Sequence, residues 1–140
     1  MQNIVKRPGL IVAAACVLML AGCGSRPGEV DLSRLTADAQ PGQWLANGRD
    51  IGKTFYSPLD GINRDNVGKL GFAWEFQTGT ERGMEATPLV VDGVMYVSGV
   101  AGRVYALDPS TGRSLWRFEP AIDFRYSRST CCDIVNRGLA

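Results

Sequence analysis

The sequence predicts an all-β fold, and two observations lead to this prediction. Seventeen glycines and seven prolines in 140 residues are many for a helical protein and are typical of a turn-rich β architecture. From Thr87 onward, short runs of β-branched and aromatic residues alternate with turn-forming dipeptides. We therefore expect several short strands joined by tight turns in the second half of the chain.

Charge and residue content exclude several classes of function. The 15 basic and 14 acidic residues nearly balance, so no nucleic-acid partner is indicated. Histidine is absent, which removes serine–histidine and cysteine–histidine catalysis and histidine-ligated zinc from this chain. The four cysteines contain no C-x-x-C pair, so a structural zinc site is not expected.

The N-terminal region has the order of an export signal. Lys6 and Arg7 precede an uncharged run from Leu10 to Ala21. That run is shorter than the roughly 20 residues that a membrane-spanning helix requires. It ends in Leu20-Ala21-Gly22-Cys23, which resembles the bacterial lipoprotein box and implies a lipid attached to Cys23. The alternative is an ordinary secretory signal with an incidental cysteine. Both interpretations predict a periplasmic protein.

These features divide the chain into three parts. We expect a lipoprotein-type signal peptide at residues 1–22, a polar tether at 23–43 and the start of a β domain at 44–140. Pro27, Gly28, Pro41 and Gly42 lie within the tether. The residue after Cys23 is Gly24 rather than aspartate, which in lipoproteins implies sorting to the outer membrane.

Four strands are predicted in the β domain. Asp92-Gly93 is a two-residue hairpin signal, because both central positions of that turn need a positive φ. Gly112 suits a left-handed position in a later turn. The strands are expected at residues 87–91, 94–97, 103–107 and 114–118. Such a four-stranded meander is the repeating unit of β-propellers.

One motif within this meander is more specific than the strand pattern. The residues Ala106-x-Asp108-x-x-Thr111-Gly112-x-x-x-Trp116 resemble the tryptophan-docking motif of propellers that bind pyrroloquinoline quinone (PQQ). We expect the Trp116 ring to pack between blades, and Asp108 to cap the turn that orients it. The alternative is an unrelated meander with a core tryptophan. No second copy is recognised, since Trp74 lacks the aspartate and Thr-Gly context.

The preceding segment carries a second resemblance. It resembles the N-terminal signature of the PQQ-dependent methanol and ethanol dehydrogenases. The matching residues are Trp44, Gly48, Arg49, Tyr56, Ser57, Ile62, Asn63, Asn66, Val67, Leu70, Ala73 and Trp74. From the residues themselves we predict a short helix with Asn63 as its N-cap and Gly71 at its end, then a strand at 71–76. The resemblance implies an eight-bladed propeller, of which 140 residues hold about one to two blades.

Cys131 and Cys132 are adjacent, which is unusual. Neighbouring Cα atoms lie about 3.8 Å apart across a trans peptide, whereas disulfides normally span about 4.4–6.8 Å. A bridge between them therefore requires a special local shape, and two separate thiols are the alternative. Asp133, Asn136 and Arg137 extend the match to the dehydrogenase family. The resemblance implies a Cys131–Cys132 disulfide lying against one face of PQQ.

Two charged residues complete the candidate cofactor site. The resemblance implies that Glu85 and Arg137 form hydrogen bonds with PQQ. Arginine is a fitting partner, because PQQ carries three carboxylates and a guanidinium is a rigid cationic donor. Without the resemblance, each would be interpreted as a solvated surface charge.

The resemblance implies an enzyme that oxidises primary alcohols by hydride transfer to PQQ, with Ca²⁺ or a lanthanide as Lewis acid. The family's metal ligands and base aspartate come from later blades, so we expect no catalytic or metal residue in this chain and no turnover by it alone. Electrons would pass to cytochrome c or another periplasmic acceptor.

Three alternatives remain at this point. The first is a lipoprotein propeller that acts as a non-catalytic scaffold in outer-membrane barrel assembly, for which the lipoprotein box and the blade fit equally well. The second is a membrane-bound sugar dehydrogenase, which is disfavoured because that group lacks the adjacent cysteines. The third is a non-functional remnant of a broken gene.

Overall fold

The structure is a computed structural model that describes residues 26–36, 40–125 and 133–139. Within these ranges it contains one short helix, one 3₁₀ turn and four strands. The helix α1 is Leu32–Thr36, and the 3₁₀ turn is Val67–Lys69. Val100–Gly102 is a turn in which Ala101 and Gly102 have left-handed φ values of 61° and 70°. Among the described residues, no helix combines the length and apolar character needed to cross a membrane.

The predicted meander is confirmed. Strands β1 (Leu89–Val91), β2 (Val94–Ser98), β3 (Val104–Leu107) and β4 (Ser114–Phe118) form one sheet in the order β1-β2-β3-β4. Each strand is antiparallel to its neighbour. The Asp92-Gly93 turn has φ values of 50° and 80°, as a two-residue hairpin of this type requires.

The register gives the sheet two distinct ends. Val91 pairs with Val94 and Leu107 with Ser114, so the turns at 92–93 and 108–113 share one end, here called the hairpin end. Ser98 pairs with Val104 at the other end, where residues 99–103 connect β2 to β3. We call this the connector end. The chain enters β1 and leaves β4 at the connector end.

The core is small and lies on the sheet. Tyr105, Ala106 and Leu107 of the interior strand β3 are almost fully buried. Leu45 packs with Leu89 and Val91 in a separate cluster against β1. The backbone of Trp44 exchanges two hydrogen bonds of 2.9 Å with Val90, which adds the segment before the blade to the edge of β1.

The strand expected at residues 71–76 is not formed, so that prediction is wrong. The segment nevertheless keeps the two-residue alternation of a strand, with Trp74 and Phe76 half-buried and their neighbours exposed. Phe76 meets the Tyr105 ring edge-on at a centroid distance of 5.2 Å. The Tyr105 hydroxyl donates to the Thr78 carbonyl at 2.9 Å. Side-chain packing therefore holds the segment without a ladder of backbone hydrogen bonds among the described residues.

The predicted cap at Asn63 is formed, but the helix expected after it is reduced to turns. Asn63 Oδ1 accepts from the Asp65 amide two residues on at 3.0 Å, and Asn66 Oδ1 accepts from the Asn63 amide at 2.8 Å, which are the two reciprocal bonds of a capping box. The Asn63 carbonyl accepts from the Val67 amide at 2.9 Å. The stretch then continues only as the 3₁₀ turn Val67–Lys69, so the predicted helix is shorter than expected.

Part of the expected tether is packed against the sheet. Arg34 of α1 forms an ion pair with Asp92 at 2.7 Å, and the Gly28 amide donates to the same carboxylate at 2.7 Å. The Asp92 amide donates to Gln43 Oε1 at 2.8 Å. The described part of residues 23–43 is therefore attached to the hairpin end and is not a free spacer.

Candidate functional site

The two charged residues expected to contact PQQ lie against each other. Glu85 is in the loop that leads into β1, and Arg137 is in the segment 133–139. Nε of Arg137 donates to Oε2 of Glu85 at 3.1 Å. The Arg137 and Glu85 side chains keep 73% and 47% of their surfaces exposed, respectively, so both remain accessible to a ligand. The pair joins residues 52 positions apart in the chain.

Backbone and side-chain contacts attach the segment 133–139 to the sheet, beginning at the connector end. The Ala101 amide donates to the Ile134 carbonyl at 2.8 Å. Arg82 forms an ion pair with Asp133, in the same two stretches of chain that carry Glu85 and Arg137. Leu139 packs against the cluster of Leu45, Leu89 and Val91. Two parallel ion pairs thus connect residues 82–85 to residues 133–137.

Asp133 is the first described residue after the adjacent cysteines, and its backbone is unusual. Its φ is 70°, a left-handed value that aspartate tolerates better than most residues. Its carboxylate accepts from the Ile134 amide at 2.8 Å. This bond has the largest effect and the bond from Arg82 the next largest, and together they hold the pKa of Asp133 below its ordinary value. Asp133 is therefore an anionic anchor for the turn that follows Cys132.

Arg137 and Glu85 keep hydrogen-bonding groups available for a ligand beyond the bond between them. Within the described ranges, Arg137 is bonded through Nε, which leaves the Nη nitrogens able to donate to a carboxylate of PQQ. Glu85 can accept from a ring N–H of the ligand with its second oxygen. In the same ranges there is no cluster of three or more acidic or cysteine side chains that could hold a metal ion.

Three of the predicted site residues lie outside the described residues. These are Cys131 and Cys132, expected to form the disulfide, and Cys23, expected to carry lipid. Their roles stay predictions. Asn136 is described, and its side chain accepts from the Gly138 amide at 3.0 Å, which assigns it to the local turn.

The tryptophan-docking motif is formed as a turn. Asp108 accepts from the Ser110 amide at 2.9 Å and from its hydroxyl at 2.6 Å, as expected of a capping residue. These bonds lower the pKa of Asp108. Gly112 has a φ of 71°, as predicted. Trp116 lies beside Tyr96 with ring centroids 5.9 Å apart, and it keeps 48% of its surface exposed.

Trp74, which carries no motif of its own, is the tryptophan that docks on this turn. Its Nε1 donates to the Pro109 carbonyl at 3.0 Å. Its ring covers Gly112 so closely that a Cβ there would lie 2.6 Å from Trp74 Cδ2. The alternation of aromatic residues at Trp74 and Phe76 is the sequence signal that could have indicated this contact.

Comparisons with known proteins give the family of the chain. The family model "Glucose/ethanol/alcohol dehydrogenase, beta-propeller domain", of the PQQ type, matches residues 44–140. Quinohemoprotein alcohol dehydrogenase ADH-IIG of Pseudomonas putida is 45% identical over 134 residues, which are 92% of this chain and 19% of the relative. The chain therefore spans about a fifth of the length of that relative.

Two solved structures extend the similarity to the fold. Quinohemoprotein alcohol dehydrogenase from Comamonas testosteroni superposes with a TM-score of 0.75 at 45% identity, over 80% of this chain and 17% of that one. A europium-containing methanol dehydrogenase gives a TM-score of 0.68 at 42% identity, over 78% and 19% of the two chains. The chain belongs to the PQQ-dependent alcohol dehydrogenase family and carries an N-terminal portion of its β-propeller domain.

Proposed function

We propose that this chain is the N-terminal part of a periplasmic quinoprotein that oxidises primary alcohols with PQQ as its cofactor. The observation that carries the proposal is the Glu85–Arg137 pair. The two residues that the family resemblance assigns to the cofactor meet at one end of the blade, although 52 positions separate them. Both side chains are exposed enough to bind a ligand.

In this proposal, Arg137 binds a PQQ carboxylate and Glu85 accepts a hydrogen bond in the plane of the ring system. The Arg137–Glu85 bond orients the guanidinium before the ligand arrives, which reduces the entropy lost on binding. The Arg82–Asp133 pair keeps the segment 133–139 beside the loop that carries Glu85. The bound quinone supplies the hydride-accepting chemistry.

Cys131 and Cys132 are proposed to form a disulfide that covers one face of PQQ. Peptide mass spectrometry of the periplasmic protein tests this pairing. A fragment that contains both cysteines, resists thiol alkylation and becomes reactive after reduction would support it. Two thiols that alkylate without reduction would contradict it.

The remaining parts of the reaction are assigned to residues outside this chain. We propose that a later segment supplies the ligands of Ca²⁺ or a lanthanide and the aspartate that accepts the alcohol proton. The metal would act as a Lewis acid. Cytochrome c or another periplasmic acceptor would remove the electrons. We therefore expect no alcohol oxidation by residues 1–140 alone.

We further propose that the mature protein begins at Cys23 and is anchored to a membrane by lipid at that residue, with the outer membrane favoured by Gly24. The support is the lipoprotein box at Leu20–Cys23 behind an export-type apolar run. Metabolic labelling with a radioactive fatty acid tests it. Cys23→Ser should abolish the label, and labelling that persists in this variant would contradict the proposal.

The experiment for the activity uses the full-length protein with added PQQ and either Ca²⁺ or a lanthanide. We expect PQQ to raise the thermal unfolding temperature and primary alcohols to reduce an artificial electron acceptor, with glucose as the comparison substrate. A protein that neither binds PQQ nor oxidises alcohols would contradict the proposal and favour a scaffold. The matching relatives are alcohol dehydrogenases, so no observation favours the scaffold.

A further inference from the structure

The described part of the tether is bonded to Asp92 of the sheet. Asp92 lies in the turn between β1 and β2, at the hairpin end of the sheet. Its carboxylate accepts from both Nη groups of Arg34, from the Gly28 amide and from the side chain of Gln43. These bonds from Arg34, Gly28 and Gln43 to Asp92 are here called the Asp92 clasp. The Arg34 side chain is only 9% exposed, so the clasp is a packed structure.

The clasp limits how far the proposed lipid can lie from the sheet. Five peptide links separate Cys23 from Gly28. At about 3.6 Å per residue, even a fully extended chain reaches only about 18 Å. Without the clasp and the packing of Val30 and Leu35 on the Leu45, Leu89 and Val91 cluster that accompanies it, the tether would extend to Gln43. The same calculation would then allow several times that distance. The clasp therefore keeps the hairpin end close to the lipid.

The candidate cofactor residues lie at the opposite end. Glu85 precedes β1 on the connector side, and Ile134 is bonded to Ala101 in the connector itself. The five residues of β2, Val94–Ser98, separate the two ends by about 14 Å at the usual strand rise. The hairpin end is therefore closer than the connector end to the proposed lipid on Cys23.

We infer that the Asp92 clasp orients the protein on its membrane, with the hairpin end facing the lipid surface and the end that carries Glu85 and Arg137 facing away. The partner of the hairpin end is a phospholipid surface, held by the acyl chains on Cys23. The inference rests on the proposed lipidation, and it adds an orientation to it. A bound cofactor would thereby be open to soluble acceptors on the side away from the membrane.

Energy transfer from a single label to acceptor-labelled lipid tests the orientation in the full-length lipoprotein on vesicles. Ser110→Cys places the label in a turn at the hairpin end, and Ala121→Cys places it beyond β4 at the connector end. Both positions are exposed. We expect the label at residue 110 to lie about 10 Å closer to the lipid, most of the length of β4. Protein without either substitution is the control for unwanted labelling.

Asp92→Asn in both labelled proteins tests whether the clasp is the cause. The difference between the two positions should then shrink or vanish, whereas Asp60→Asn, at an exposed residue in another loop, should leave it intact. A lipid-modified protein whose residue 121 is as close to the membrane as residue 110 would overturn the orientation alone. A protein that carries no lipid would overturn the proposed anchor and the orientation together.

Discussion

The Trp74 indole donates its Nε1 proton to the Pro109 carbonyl at 3.0 Å, and the same ring lies over Gly112. This contact connects the segment before the blade to the turn between β3 and β4. It combines a directional hydrogen bond with the burial of a large aromatic surface. Glycine at position 112 serves two needs, because the turn has a φ of 71° there and the ring leaves no room for a Cβ.

Gly112→Ala should therefore destabilise the full-length protein by more than backbone strain alone. A left-handed alanine costs about 1–2 kcal/mol, and forcing a methyl group into a packed contact adds about 1–3 kcal/mol. Gly79→Ala is the matched control, since Gly79 has a φ of 73° and a methyl group there would meet no heavy atom within 4 Å. Thermal unfolding should show a clearly larger loss for Gly112→Ala. Equal losses would mean that the Trp74 contact is not formed.

Removing the Trp74 ring should remove the difference in stability loss between Gly112→Ala and Gly79→Ala. In a Trp74→Ala background, the methyl group at position 112 meets open space, so Gly112→Ala should cost no more than Gly79→Ala does. Residues in contact have non-additive effects of about 0.5–3 kcal/mol, and unfolding of the two single variants and the double variant measures this coupling. Fully additive losses would exclude a direct Trp74–Gly112 contact.

The Asp92 clasp should respond to acid. Hydrogen bonds from Arg34 and then from the Gly28 amide lower the pKa of Asp92 below its ordinary value of 3.8. A carboxyl group with a lowered folded-state pKa stabilises the fold above its unfolded-state pKa, and that contribution is lost as pH falls through the folded-state value. The clasp should therefore hold at neutral pH and open only in strong acid.

Asp92→Asn isolates this contribution, because asparagine tolerates the φ of 50° at this position but carries no charge. The unfolding temperature of the unsubstituted protein should exceed that of Asp92→Asn at pH 7, and the two should converge as the pH falls below about 4. A difference that stays constant down to pH 2 would show that the charge of Asp92 has no part in the clasp.

The blade could be predicted from the sequence because its signals are local. The Asp92-Gly93 turn and the alternation in residues 103–107 determine strand positions from a few neighbouring residues. The cap at Asn63 is local too and is formed, although it begins a 3₁₀ turn and not the helix that was expected. Local signals mislead at residues 71–76, because packing on Tyr105 leaves the alternation of half-buried and exposed residues intact without backbone pairing.

The candidate cofactor site could be predicted from the resemblance to the dehydrogenase family and not from local sequence patterns. Glu85 and Arg137 each look like a solvated charge in their own stretch of sequence, and only folding brings them within 3.1 Å. The Arg82–Asp133 pair has the same long-range character, and no local signal indicates it. Trp74 has no motif around it, and its partner is the motif in the following blade.

Titration of PQQ into the full-length apoprotein tests the central claim, that this chain supplies cofactor contacts, most directly. Arg137→Ala should weaken binding by about 1.5–3 kcal/mol, roughly 10- to 150-fold in Kd, because a charged hydrogen bond to the ligand is lost. Arg113→Ala removes an exposed arginine at the hairpin end and should leave Kd unchanged. The claim would be contradicted if both variants bound PQQ as tightly as the unsubstituted protein.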